Sequence, residues 1–117
     1  MPIKKVTLVE DEVSIRELII AMLQRYEKTD FAIGAHLKYD FTPEESDVYM
    51  FDHHIKDDIT GSEWIKRRNL YEFHPDRRIL MSANPHIWRD KGIKGYCLTK
   101  PFNWEQLYKT LDKILGL

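Results

Sequence analysis

Short apolar runs alternate with amphipathic stretches along the chain. The first run, residues 6–9, ends in acidic residues and precedes apolar positions that recur at helical spacing: Ile15, Leu18, Ile19, Met22, Leu23 and Tyr26. A strand buried on both faces has a continuous apolar run, whereas a helix that covers a core has one apolar stripe. The pattern therefore predicts a buried strand followed by an amphipathic helix.

The same strand pattern recurs four more times before the chain ends. The further strands are predicted at residues 31–35, 48–51, 78–81 and 96–98. Each is followed by a helix-start signal, an N-cap residue with proline next to it or with Glu or Gln three positions on. These N-cap residues are Thr42, Thr60, Asn84 and Asn103.

The predicted helices differ in length. The helix after Thr42 is brief, because the next strand begins close by, and the helix after Thr60 continues toward Phe73. The helix after Asn84 is short, and the last helix carries one apolar stripe up to Gly116. Trp64, Trp88, Trp104 and Tyr108 are predicted to be packing residues on these helices.

Strand and helix thus alternate five times, with no linker or repeat between them. This order predicts an α/β fold, a doubly wound parallel sheet of five strands with helices on both faces. Residues 1–117 are expected to form a single domain with no output domain attached.

Composition narrows the possible functions. Eighteen Lys and Arg residues against 19 Asp and Glu residues give a net charge of -1, which argues against nucleic-acid binding. The longest apolar run, residues 18–23, is too short to span a membrane, and no signal peptide precedes the first acids. Cys97 has no cysteine partner, so we expect a buried thiol in a reducing, cytoplasmic setting.

Chemically capable residues follow four of the predicted strands. Glu10 and Asp11 follow the first, Asp52 the third, Ser82 the fourth and Lys100 the fifth. The carboxyl ends of parallel strands meet at one edge of the sheet, where such folds bind ligands. Three acids at one edge repel each other unless a cation lies between them, and oxygen ligands suit Mg²⁺. The set fits phosphoryl transfer, with Asp52 as the candidate nucleophile.

In its ordered motifs the sequence resembles the receiver domain of bacterial two-component response regulators. The motifs are Val-Thr-Leu-Val-Glu-Asp-Glu at 6–12, the strand ending in Asp52, Met-Ser-Ala at 81–83 and Leu-Thr-Lys-Pro-Phe at 98–102. The resemblance covers nearly the whole chain and implies a flavodoxin-like strand order of 2-1-3-4-5.

The resemblance also implies a role for each site residue. Asp52 would accept a phosphoryl group from a histidine kinase or phosphotransfer protein. Mg²⁺ would be held by Glu10, Asp11, Asp52 and the backbone carbonyl of His54. Ser82 and Lys100 would contact the phosphoryl oxygens. A downstream protein, or a second copy of the chain, would bind the face formed by the fourth helix, the fifth strand and the fifth helix.

Four features depart from the family pattern. Cys97 lies where receivers usually carry Tyr or Phe, and Lys56 lies where they usually carry Pro. The segment from Asp52 to Gly61 is one residue longer than usual, and the second helix is short. These departures keep a second hypothesis open, a receiver-like binding module that works without phosphorylation.

The same residues allow other interpretations, which the sequence supports less well. Asp52 alone could be a turn former, and Glu10 with Asp11 could cap the first helix. His53, His54, Asp57 and Asp58 could bind a transition metal, but a solvated loop is the simpler interpretation. A phosphatase of the haloacid dehalogenase type also uses a strand-end Asp with Mg²⁺, but its Asp-x-Asp motif is missing here. The leading hypothesis is a stand-alone signalling receiver that catalyses only its own phosphorylation and dephosphorylation.

Overall fold

A computed structural model describes residues 3–117 as one alternation of strands and helices. The strands are β1 (Lys4–Val9), β2 (Phe31–His36), β3 (Val48–Asp52), β4 (Arg78–Ser82) and β5 (Tyr96–Thr99). The α-helices are α1 (Val13–Gln24), α2 (Gly61–Arg67), α3 (Ile87–Asp90) and α4 (Trp104–Leu115), and a single 3₁₀ turn covers Pro75–Arg77. The longest helices in this part of the chain have 12 residues, and none of them could cross a membrane.

All five strands are parallel and lie in the order β2-β1-β3-β4-β5, which confirms the predicted doubly wound, flavodoxin-like fold. One core lies between the sheet and the helices α1 and α4, and its buried members include Leu8, Met50, Ile19 and Leu107. A second core lies on the opposite face. Its buried members are Val9, Tyr39, Tyr49, Phe51, Ile55, Trp64, Ile65, Leu80, Trp88 and Ile93.

The helix predicted after Thr42 is wrong. Residues 37–47 form an irregular segment between β2 and β3, which we call the β2–β3 segment. Glu44 pairs with Lys5 of β1, and its carbonyl accepts a hydrogen bond from the Tyr49 hydroxyl at 3.1 Å. Because these contacts with β1 and β3 hold Glu44 in place, the capping signal at Thr42 does not produce a helix.

Two other helix boundaries also differ from the prediction. α2 ends at Arg67 instead of continuing toward Phe73, because Asn69 has a positive φ of 54°. α3 begins at Ile87, and its N-cap, His86, lies two residues after the cap predicted at Asn84. The Asn84 side chain instead accepts a hydrogen bond from the backbone N–H of His86 at 3.0 Å, forming a turn that precedes the helix.

Two predicted packing residues are exposed. Cys97 lies on β5, the edge strand, with its side chain opposite to that of buried Leu98. The preceding helix, α3, has four residues and leaves this face of β5 open. Trp104, at the first turn of α4, is 57% exposed, whereas Trp64 and Trp88 are buried as predicted.

Candidate functional site at the carboxyl edge of the sheet

The sheet brings its central acidic residues to one edge. β1 and β3 are neighbours in register, with Val9 opposite Phe51, so that Glu10 and Asp52 follow at the same level. Ligand oxygens of Glu10, Asp11 and Asp52 all lie within 4.8 Å of one another. The sequence predicted this convergence from the strand ends, and the parallel pairing produces it.

Two of the three acids are buried. Glu10 is 0% exposed and Asp52 is 3% exposed. One carboxylate oxygen of Glu10, Oε2, is buried with no hydrogen-bond partner among the described residues. An unpaired buried carboxylate oxygen is costly, and such an atom beside two other acids is suited to a cation.

Lys100 supplies the positive charge of the site. Its Nζ lies 2.7 Å from Oε1 of Glu10 and 3.1 Å from Oδ2 of Asp52. The backbone N–H of Lys100 donates to the Ser82 carbonyl at 2.8 Å and so continues the β4–β5 pairing. This contact holds the amine at the strand ends, where it bridges two carboxylates.

Burial and charge shift the proton affinities at the site. Burial, together with the neighbouring Asp52 carboxylate, raises the pKa of Glu10 to about 7. Burial lowers the pKa of Lys100, but the hydrogen bond and charge of Glu10 and the charge of Asp52 outweigh it, so its pKa is raised. The ammonium is therefore firmly charged, while the buried Glu10 loses its proton near neutral pH.

An open cleft of about 420 Å³ lies over these residues. It is lined by Glu10, Asp11, Glu12, Asp52, His54, Lys56 and Lys100. Asp11 is fixed at the rim, since its Oδ2 accepts from the backbone N–H of Lys56 at 2.9 Å. The cleft leaves the carboxylates accessible from solvent and places His54 and Lys56 at its edge.

Ser82 lies at the end of β4, opposite Thr99, as the sequence predicted. Its hydroxyl accepts a hydrogen bond from the backbone N–H of Asn84 at 3.0 Å. It is not among the residues that line the acidic cleft. The structure thus brings Glu10, Asp11, Asp52 and Lys100 together and leaves Ser82 beside them on the neighbouring strand.

His53 is buried, contrary to the prediction of a solvated loop. Its Nε2 lies 2.9 Å from the Ser62 hydroxyl of α2, and its ring meets the Trp88 ring edge-on at 5.0 Å. The neighbouring His54 is exposed. Since successive side chains point apart, the two imidazoles do not form a shared metal site. Among the described residues, the cluster that could hold a metal ion is the acidic one.

No pattern in the sequence singles out Tyr39 as a buried residue beside the site. This residue of the β2–β3 segment is 5% exposed although Lys38 and Asp40 on either side are exposed. Its hydroxyl donates to the backbone carbonyl of Asp52. Leu37, Tyr39 and Phe41 alternate with polar residues, and this pattern does not show which of them is buried, so only the packing of the segment reveals where Tyr39 lies.

Known structures match this fold over nearly its full length, although no family model and no curated protein sequence matches the chain. The chemotaxis protein CheY4 of Vibrio cholerae is 25% identical, covers 97% of this chain and 99% of its own, and has a TM-score of 0.72. A second structure of that CheY4 is 26% identical, with a TM-score of 0.71. The chain folds as a CheY-like receiver domain.

Further similar structures support the same family of folds. A response regulator receiver protein of Sinorhizobium medicae is 17% identical, covers 97% of this chain and 94% of its own, and has a TM-score of 0.76. The receiver domain of a sensor histidine kinase of Pseudomonas aeruginosa is 18% identical over 99% of this chain and 100% of its own, with a TM-score of 0.74. That structure has a magnesium ion in its active-site cleft. The receiver fold is that of a signalling domain rather than a classical enzyme.

Proposed function

We propose that this receiver-like domain accepts a phosphoryl group on Asp52 in a Mg²⁺-dependent reaction. The proposed donor is the phosphohistidine of a histidine kinase or of a phosphotransfer protein. The signal then passes to another protein through a change in binding. One observation carries the proposal, namely a cleft at the carboxyl edge in which three acids lie within 4.8 Å of one another and Lys100 pairs with two of them, Glu10 and Asp52.

The residues of the cleft fit a hard divalent cation. Carboxylate oxygens are preferred ligands of Mg²⁺, and the unpaired Oε2 of Glu10 is an acceptor that nothing else in the described chain occupies. Glu10, Asp11, Asp52 and the backbone carbonyl of His54 would hold the ion. When bound, it would supply charge neutralisation for the transferring phosphoryl group. The magnesium in the cleft of the Pseudomonas receiver supports this choice.

The protein's own groups would perform the transfer. An oxygen of the Asp52 carboxylate attacks phosphorus, an O–P bond forms, and the donor's N–P bond breaks. The donor imidazole leaves with that electron pair and takes up a proton. Lys100, already 3.1 Å from Asp52, would remain as a fixed positive charge beside the transferred oxygens. The Ser82 hydroxyl, now engaged by Asn84, would contact a phosphoryl oxygen.

The proposed output surface is the face formed by α3, β5 and α4. These correspond to the fourth predicted helix, the fifth strand and the fifth predicted helix. Cys97 is exposed on β5 where receivers usually carry an aromatic side chain. A downstream protein or a second copy of the chain would bind this face, and its affinity would depend on phosphorylation.

The direct test is the intact mass of the protein after incubation with acetyl phosphate, with and without Mg²⁺. The wild type is expected to gain one phosphoryl group with Mg²⁺ and none with EDTA. Asp52→Asn is expected to gain none, because an amide oxygen is a far weaker nucleophile than a carboxylate.

Asp57→Asn is the matched control. Asp57 is exposed and has a φ of 59°, a conformation that asparagine adopts as readily as aspartate. This variant should gain the adduct at the wild-type rate. Where acetyl phosphate fails as a donor, the mimic beryllofluoride should still shift tryptophan fluorescence in the wild type and not in Asp52→Asn. A wild type that responds to neither reagent would contradict the proposal and favour a phosphorylation-independent binding module.

A further inference from the structure

Tyr39 anchors the β2–β3 segment directly beneath the candidate phosphoacceptor. Its ring packs against Trp64 of α2, with centroids 5.0 Å apart, and against Phe51 of β3 at 6.2 Å. Its hydroxyl donates to the carbonyl oxygen of Asp52 inside the core. Burial and the nearby carboxylates of Asp52 and Glu10 raise the pKa of Tyr39 well above its ordinary value, so the phenol keeps its proton and remains a donor.

The backbone of Tyr39 holds the other end of the same loop. Its N–H donates to Oδ2 of Asp58 at 2.8 Å, and Oδ1 of Asp58 accepts from the N–H of Ile59 at 2.8 Å. One residue of the β2–β3 segment therefore contacts the loop after β3 both where it begins, at Asp52, and near where it ends, at Asp58. Both contacts restrict how the loop can move relative to the sheet.

The start of α2 packs onto this same junction. A Cβ at Gly61 would lie 2.7 Å from the Tyr39 hydroxyl and 3.1 Å from the Asp52 carbonyl oxygen, so only glycine fits. The N–H of Gly61 donates to the His53 carbonyl at 2.9 Å. The carbonyls of Asp52 and His53 are thus held by Tyr39 and by Gly61. The next carbonyl along the chain, that of His54, is the one proposed to bind the metal.

We infer that Tyr39 is a positioning residue for phosphoryl transfer at Asp52. Through its hydrogen bond to the Asp52 carbonyl, it fixes the backbone that carries both the phosphoacceptor and the proposed metal-binding carbonyl of His54. Tyr39 makes no hydrogen bond to the carboxylate of Asp52 or of Glu10, and it acts on the site through the backbone. The inference rests on the proposed function, since it concerns the geometry of the same reaction.

Tyr39→Phe tests the inference because it keeps the ring and removes only the hydroxyl. Supporting groups behind metal ligands typically change metal affinity or activity by roughly 10–100-fold when they are lost. We expect at least a roughly tenfold loss in Mg²⁺ affinity, read from tryptophan fluorescence, or in the initial rate of adduct formation at saturating Mg²⁺ and acetyl phosphate.

Tyr49→Phe is the matched control for loss of a buried hydroxyl. Tyr49 lies in the same core, and its hydroxyl anchors the same segment by contacts to the Ser46 N–H at 2.8 Å and the Glu44 carbonyl at 3.1 Å. It makes no hydrogen bond to residues 52–61. Tyr49→Phe should lower the unfolding temperature as Tyr39→Phe does. Its Mg²⁺ affinity and its initial rate of adduct formation should stay within about twofold of the wild-type values.

The outcomes separate the two proposals. A wild type that forms no Mg²⁺-dependent adduct overturns the proposed function, and the positioning role with it. A competent wild type whose rate and Mg²⁺ affinity are matched by Tyr39→Phe overturns the positioning role alone. If Tyr39→Phe does not fold, Tyr39→Met replaces it, because it also removes the hydroxyl that donates to Asp52 and its flexible apolar side chain adapts to the core. The same losses in that variant support the inference, and wild-type values overturn it.

Discussion

Lys100 and Glu10 show how single residues set the charge of the site. They are 90 positions apart, yet the ends of β1 and β5 place the ammonium 2.7 Å from the carboxylate. One lysine cannot balance three neighbouring carboxylates, and the remaining negative charge is what a divalent cation would neutralise. The raised pKa of Glu10, about 7, is a consequence of this imbalance and of burial.

Glu10 makes the stability of the metal-free protein depend on pH. The pKa of its carboxyl is raised from an ordinary 4.5 to about 7 in the folded protein, so the native state binds the extra proton between these values. Stability contributed by that proton is present at low pH and is lost as pH rises from 4.5 toward about 7. In EDTA, Glu10→Gln should therefore gain stability relative to wild type as pH increases through this range.

Urea unfolding of both proteins at about pH 5 and pH 8 measures this difference. Because groups away from the cleft titrate equally in both proteins, the change in the difference reports Glu10 together with the two groups that it contacts, Asp52 and Lys100. A stability difference that stays constant with pH would mean that Glu10 is not protonated near neutrality in the folded state.

The sequence correctly predicted the helices and strands whose local sequence patterns agree with their tertiary contacts. Asn103 and Gln106 form the reciprocal capping box that opens α4, and Gly116 adopts the left-handed conformation that ends it. Each strand lies within two residues of its predicted place, and the three central strands, β1, β3 and β4, are buried along most of their length as their apolar runs predict. The Thr42 helix failed since the Tyr49 hydroxyl binds the Glu44 carbonyl and the Ser46 N–H, which are backbone groups that a helix would use.

Arg78 explains why the chain after α2 turns back without further helix. The buried guanidinium donates to the carbonyls of Leu70, Tyr71 and Phe73 at 2.7–3.1 Å, and to that of Lys94 at 3.1 Å. It replaces the hydrogen bonds that a longer helix would have made. No pattern in the sequence marks this role, because an arginine at the start of an apolar strand is ordinarily a surface residue.

Arg78→Met should therefore destabilise the protein by roughly 3 kcal/mol, since it leaves several carbonyls without a donor. Amide exchange in residues 68–74 should accelerate before the rest of the fold. Arg77→Met is the neighbouring control. Arg77 contacts Ser46 and the exposed Glu45 at the surface, and its loss should cost about 0.5 kcal/mol. Equal losses in the two variants would show that Arg78 has no special part in holding the segment.

In the whole molecule, the site lies where the sheet, its two helical layers and the loops at the carboxyl edge meet. The sequence was sufficient to predict that the site contains Glu10, Asp11, Asp52 and Lys100, because parallel topology alone brings strand ends together. It was insufficient for His53 and Tyr39. Their burial depends on where irregular segments settle against α2 and α3, and no local pattern encodes that placement.

Mg²⁺ should stabilise the whole fold by mass action. An ion that binds only the native state, at about one hundred times its dissociation constant, adds about 2.7 kcal/mol. The unfolding temperature of the wild type and of Asp57→Asn should therefore rise with Mg²⁺ and return on addition of EDTA. Asp52→Asn should lose most of this rise. An equal rise in all three proteins would place the bound ion outside the acidic cleft.

The decisive measurement is the position of the phosphoryl group itself. An acyl phosphate on aspartate is reduced by borohydride to homoserine, which peptide mass mapping locates. After treatment with Mg²⁺ and acetyl phosphate, homoserine is expected at position 52 and at no other acid. Homoserine at Asp11, Asp57 or Asp58, or none in protein that carries the adduct, would contradict the assignment of Asp52 as the phosphoacceptor.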